Sequence, residues 1–140
     1  AKSAGQVLSQ FKGSFDGVAI RAPIPVGSIS DITCITKRPT SVEEVNSVFM
    51  EESATDRYRG ILGVTEDEIV SSDIIMDSRG SVVDLTMTNV VGGNLVKVMS
   101  WYDNEWGYAS QMVREAVNMA GQGNRQEGRS EKAEVAHVGA

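Results

Sequence analysis

Two strand-like runs, Val82 to Met87 and Leu95 to Trp101, stand either side of Gly92-Gly93-Asn94, and an amphipathic segment begins almost directly after the second. Paired glycines accept the positive φ of a tight reversal, so the two runs are predicted to form an antiparallel hairpin. In the first run Val83, Leu85 and Met87 are predicted to share one face, with Asp84, Thr86 and Thr88 on the other. From Asn104 to about Ala120, Trp106, Ala109, Met112, Val113, Ala116, Val117 and Ala120 recur at three- and four-residue spacing, the clearest helical pattern in the chain. A hairpin feeding an amphipathic helix points to an α+β domain in which each element buries an apolar face on another.

The upstream sequence adds more elements of both kinds. Lys2 to Gln10 reads as the end of a helix, and the alternation of Val18 and Ile20 within Asp16 to Ala22 predicts a strand closed by Pro23 and Pro25. Ser28 to Lys37 reads as the next strand, its alternation slipping near Asp31 as at a bulge. Pro39 and Thr40 end it, and Ser41 with Glu44 three residues on makes a capping box that opens a helix running to about Ala54. Val42, Val45, Val48 and Phe49 fall on one face of that helix. Ile61 to Val64, Glu68 to Ser71 and Asp73 to Met76 are further β-like runs. Beyond Gly121 the composition turns to Gln, Gly, Arg, Glu and Ser, so residues 122–140 are predicted to be a disordered polar tail on a domain of residues 1–121.

With 140 residues, 41% hydrophobic and 23% charged, the chain has room for one core. A net charge of −6 argues against nucleic acid as a partner, since that binding rests on clustered Lys and Arg. No apolar run approaches the ~20 residues of a membrane span, and Ala1 to Gln10 lacks a signal-peptide layout, so a cytoplasmic location is the expectation. One cysteine, Cys34, and one histidine, His137, leave no intramolecular disulfide and no expected metal site. The chain starts at Ala1 without an initiator Met and is expected to be a fragment or a processed product.

Val96 to Tyr108, VKVMSWYDNEWGY, resembles a signature at the end of the catalytic domain of phosphorylating glyceraldehyde-3-phosphate dehydrogenases. Asp16 to Pro23 (DGVAIRAP), Ser28 to Pro39, Gly60 to Asp73 (GILGVTEDEIVSSD) and Ser81 to Asp84 resemble other pieces of that domain in the same order, over roughly Ala1 to Ala120. The resemblance implies a partial domain of that kind, with a mixed, mostly antiparallel sheet, helices on one face and at least one edge of unpaired amides. It also implies roles for three residues. Arg21 matches an arginine that binds substrate or inorganic phosphate, a task suited to a planar guanidinium that grips two oxygens. Asn104 matches an asparagine that hydrogen-bonds the nicotinamide carboxamide, which needs donor and acceptor together. Tyr108 matches a tyrosine beside the same ring. Without the resemblance, Arg21 reads as a surface strand residue, Asn104 as a helix cap and Tyr108 as core packing. Trp101, Tyr102 and Trp106 read as packing residues either way.

Cys34 does not match the family's nucleophile, which belongs to a Ser-Cys-Thr-Thr-Asn motif paired with a histidine. Set in Ile32-Thr33-Cys34-Ile35, it is predicted to be a buried, inert thiol. No catalytic residue is therefore assigned, the nucleophilic cysteine, base histidine and Rossmann domain being implied upstream. The implied function is oxidation of glyceraldehyde 3-phosphate with inorganic phosphate and NAD, NADP not excluded, in a cytoplasmic homotetramer of glycolysis and gluconeogenesis, with this chain alone inactive. The alternatives are an erythrose-4-phosphate dehydrogenase and a truncated, non-enzymatic interaction module.

Overall fold

Strand β1 (Ser28–Ile35) pairs antiparallel with β4 (Leu95–Tyr102), which pairs antiparallel on its other side with β3 (Ser81–Val91). The short β2 (Leu62–Thr65) lies parallel to β3, so the four-stranded sheet has the order β1-β4-β3-β2. Helix α1 (Val42–Ala54) follows β1, and α2 (Trp106–His137) follows β4. This is the expected α+β class with a mixed, mostly antiparallel sheet. The computed structural model describes the backbone of residues 6–137 and the side chains of residues 6–121.

The core lies where α1 crosses β2 and β3. Val83, Leu85, Val96 and Val98 are buried there, with Val45, Phe49, Leu62, Val64 and Val90 packed around them. Full burial of each such side chain is worth ~1.5–3 kcal/mol, so this cluster is what holds α1 to the sheet. Val45 and Phe49 face the core as predicted, whereas Val48 is mostly exposed. Ser41 caps α1 by accepting from the Glu44 amide at 3.2 Å. Glu44 does not complete the box. Its carboxylate takes the Thr40 hydroxyl at 2.7 Å and Arg38 Nη1 at 3.2 Å instead.

The hairpin forms as predicted, with Gly92 and Gly93 at φ 60 and 78. The bulge does not lie near Asp31, because β1 pairs with β4 in unbroken register from Ser28↔Tyr102 to Ile35↔Leu95. It interrupts β3 instead, where the register shifts between Asp84 and Asn89. That shift undoes the predicted alternation, leaving Met87 exposed and burying Thr88. On the other face Asp84 is buried, and its carboxylate accepts from Trp101 Nε1 at 3.2 Å, Thr86 Oγ1 at 2.6 Å and the Thr86 amide at 3.1 Å.

Several expected elements are absent. Asp16 to Ala22 belongs to no strand, and Val18 and Ile20 are each 87% exposed, because an extended segment becomes a strand only when a neighbour takes its backbone groups. Glu68 to Ser71 and Asp73 to Met76 form turns and loop rather than strands. There Asp73 Oδ2 accepts the Val70 amide at 2.8 Å, so local bonds replace a ladder. The reading of Lys2 to Gln10 falls partly outside the described residues; the described part is helical at residues 6–7 and has a 3₁₀ turn at Ser9–Phe11.

Cys34 is exposed rather than buried, since β1 is an edge strand that α1 does not cover. Helix α2 continues past Ala120 to His137, into the stretch predicted to be disordered. Gln, Arg, Glu, Lys and Ala are good helix formers, so the backbone can propagate from the turns before Gly121. Residues 138–140 lie outside the described residues. The expected apolar face of α2 is not covered, with Met112, Val113 and Val117 all more than half exposed. Among the described residues no helix is long and apolar enough to cross a membrane.

Candidate functional site

The junction between β4 and α2 is built around one buried carboxylate. Asp103, 3% exposed, accepts the amides of Glu105 at 2.9 Å and Trp106 at 2.8 Å with Oδ1, and the amide of Met76 at 2.9 Å with Oδ2. The first two bonds cap the helix, which is stabilised further by negative charge at its N-terminus. Burial opposes ionisation, but the amides of Trp106, Met76 and Glu105 together outweigh it and hold the Asp103 carboxyl below its ordinary value. The third bond ties the helix start to Met76, the one described non-glycine residue with a positive φ, at 64. A left-handed Met stores strain, and the Asp103 bond is what the surrounding structure offers to hold it.

The first turns of α2 rest on two loops. Gln111 Nε2 donates to Gly60 O at 3.0 Å and Ser78 O at 2.8 Å, and Arg114 donates to Arg59 O. Gly107 is buried against the Arg79 backbone, where an added Cβ would lie 2.8 Å from Arg79 O. Arg79 Nε pairs with Asp77 at 3.0 and 3.1 Å. The Arg79 hydrogen bond draws the Asp77 carboxyl below its ordinary range, and Asp77 raises Arg79 in turn.

This scaffold presents Asn104 and Tyr108 outward, both exposed at the N-terminal end of α2. The capping role that the sequence offered to Asn104 belongs to Asp103, which leaves the Asn104 amide available. Its Oδ1 accepts from Ser28 Oγ at 3.4 Å, across from the last residues of β4. Tyr108, at 68% exposure, is not a core residue. Trp101 is half-buried and bonded to Asp84, while Trp106 is largely exposed. Arg21 is exposed on the segment before β1, and among the described residues it makes no hydrogen bond or ion pair. The sequence reasoning missed Asp103 and Ser28. Asp103 was legible, since Asp is a favoured cap at that distance before a helix; Ser28 needed the β1–β4 register.

An exposed amide and phenol stand at a helix start, braced by a buried acid at the end of the mixed sheet of an α+β domain. Comparison with known proteins narrows this. The family profile described as "Glyceraldehyde 3-phosphate dehydrogenase, C-terminal domain" matches residues 1–104. Over 113 residues the chain is 47% identical to the glyceraldehyde-3-phosphate dehydrogenase of Mycobacterium avium, covering 81% of this chain and 33% of that protein. It is 46% identical to that of Borreliella burgdorferi over 114 residues, again 81% of this chain and 34% of the other. Against the cytosolic enzyme of Ginkgo biloba it is 42% identical over 120 residues, 86% and 35%. The chain belongs to the glyceraldehyde-3-phosphate dehydrogenase family, an oxidoreductase family, through its C-terminal domain. It spans about a third of the length of the curated relatives it matches.

Proposed function

We propose that this chain forms one wall of the active site of a phosphorylating glyceraldehyde-3-phosphate dehydrogenase that works in the cytoplasm as a homotetramer. The longer protein oxidises glyceraldehyde 3-phosphate to an acyl phosphate with inorganic phosphate. NAD, when bound, supplies the hydride acceptor. Asn104 offers the nicotinamide carboxamide a donor and an acceptor, Tyr108 flanks the ring, and Arg21 binds a phosphate group through its guanidinium. The residues present fit this cofactor because Asn104 and Tyr108 are exposed together at the start of α2 and neither is used to build the core.

The observation that carries the reading is the division of labour between neighbours: Asp103 caps the helix, and Asn104 is left facing outward. Cys34 is exposed on β1 and stands outside the motif of the family's nucleophile, so the chain alone is inactive. The test joins this chain to the preceding two thirds of the Mycobacterium avium relative. Asn104→Ala should raise KM for NAD about tenfold, and Arg21→Ala should raise KM for phosphate or the phosphorylated substrate by a similar factor. Unchanged constants in both variants contradict the reading.

A further inference from the structure

Asn104 has one described side-chain partner, Ser28 on the neighbouring strand. The pairing Ser28↔Tyr102 sets β1's first residue beside the end of β4, two residues before Asn104. Asp103 fixes the backbone between them by taking three amides. The Asn104 backbone is therefore held from below, and among the described residues its carboxamide has one hydrogen bond, from the Ser28 hydroxyl, which donates to Oδ1 at 3.4 Å.

We propose that Ser28 is a positioning residue for Asn104, holding the amide with its oxygen toward β1 and its Nδ2 donors outward. An amide so oriented meets a ligand as a donor and selects a carbonyl oxygen on that ligand. The inference rests on the assignment of Asn104 to the nicotinamide carboxamide, and it narrows that contact to donation from Nδ2 to the carboxamide oxygen. The contact is long for an O–H···O bond, so its loss has a modest effect.

Two measurements test this. In the chain as it stands, NMR relaxation of the Asn104 side-chain amide should show order in the wild type and in Ser28→Thr, falling below about 0.6 in Ser28→Ala. An unchanged order parameter in Ser28→Ala overturns the proposal. In the joined enzyme, Ser28→Ala should raise KM for NAD about threefold with kcat and the KM for phosphate unaltered, and Ser28→Thr should restore it. Adding Ser28→Ala to Asn104→Ala should change nothing further, because the hydroxyl acts through that amide; a residue that merely stabilises β1 gives the same loss in both backgrounds. If Asn104→Ala raises KM and Ser28→Ala does not, the role of Ser28 is wrong and the Asn104 assignment stands. If neither variant moves KM, the assignment itself fails.

Discussion

Glu44 accepts hydrogen bonds from Arg38 and Thr40, and these, Arg38 first, lower its carboxyl from 4.5 to about 2. A carboxylate whose pKa is depressed by folding contributes stability above its unfolded value and loses it as pH falls through the folded one. That contribution is accordingly present above pH 4.5 and disappears toward pH 2. NMR titration should place the Glu44 midpoint near 2 and return it toward 4.5 in Arg38→Met. Asp103 is the more consequential acid, since three amides depend on it. Asp103→Ala should cost about 2 kcal/mol in urea unfolding, and Asp103→Asn, which keeps an acceptor oxygen, less. Both Asp103 and Asn104 are capping residues by type, and side-chain direction decides between them. Ser41 was legible as a cap from Glu44 three residues on, although that carboxylate bonds Arg38 and Thr40 instead of closing the box.

Helix α1, β2 and the β3–β4 hairpin were readable because each carries its own punctuation: a serine cap, a glycine before a short apolar run, a glycine pair. Asp16 to Ala22 and Asp73 to Met76 carry strand-like composition without a strand to pair with, and propensity alone cannot supply one. The bulge in β3 was hidden for a similar reason, since it is a property of the β3–β4 register and leaves no residue type that marks it. Helix α2 is held by its first turns, where Gly107 lets the backbone close on Arg79. Gly107→Ala should destabilise the fold by about 1–3 kcal/mol by forcing a Cβ against a carbonyl oxygen, read as a lower urea midpoint. Removing residues 122–140 should leave the unfolding free energy within about 0.5 kcal/mol of its original value, because that stretch is mostly polar.

The chain has a small core and leaves many large apolar side chains in solvent: Val18, Ile20, Ile35, Val113 and Val117 all stand open. Apolar side chains left in solvent favour association, and β1 adds an edge of unpaired backbone groups. Sedimentation of the isolated chain should show concentration-dependent association; a stable monodisperse monomer would count against it. The α+β class and the family were legible from the hairpin and the Val96 to Tyr108 signature, whereas the exposure of α2 and of Cys34 depends on what lies beside them and leaves no local mark. The most direct measurement is NADH formation from glyceraldehyde 3-phosphate and inorganic phosphate, by this chain alone and by the chain joined to the preceding two thirds of a relative. The account predicts none from the chain and steady turnover from the joined protein, reduced by Asn104→Ala. Turnover by the chain alone, or a folded joined protein that makes no NADH, would contradict it.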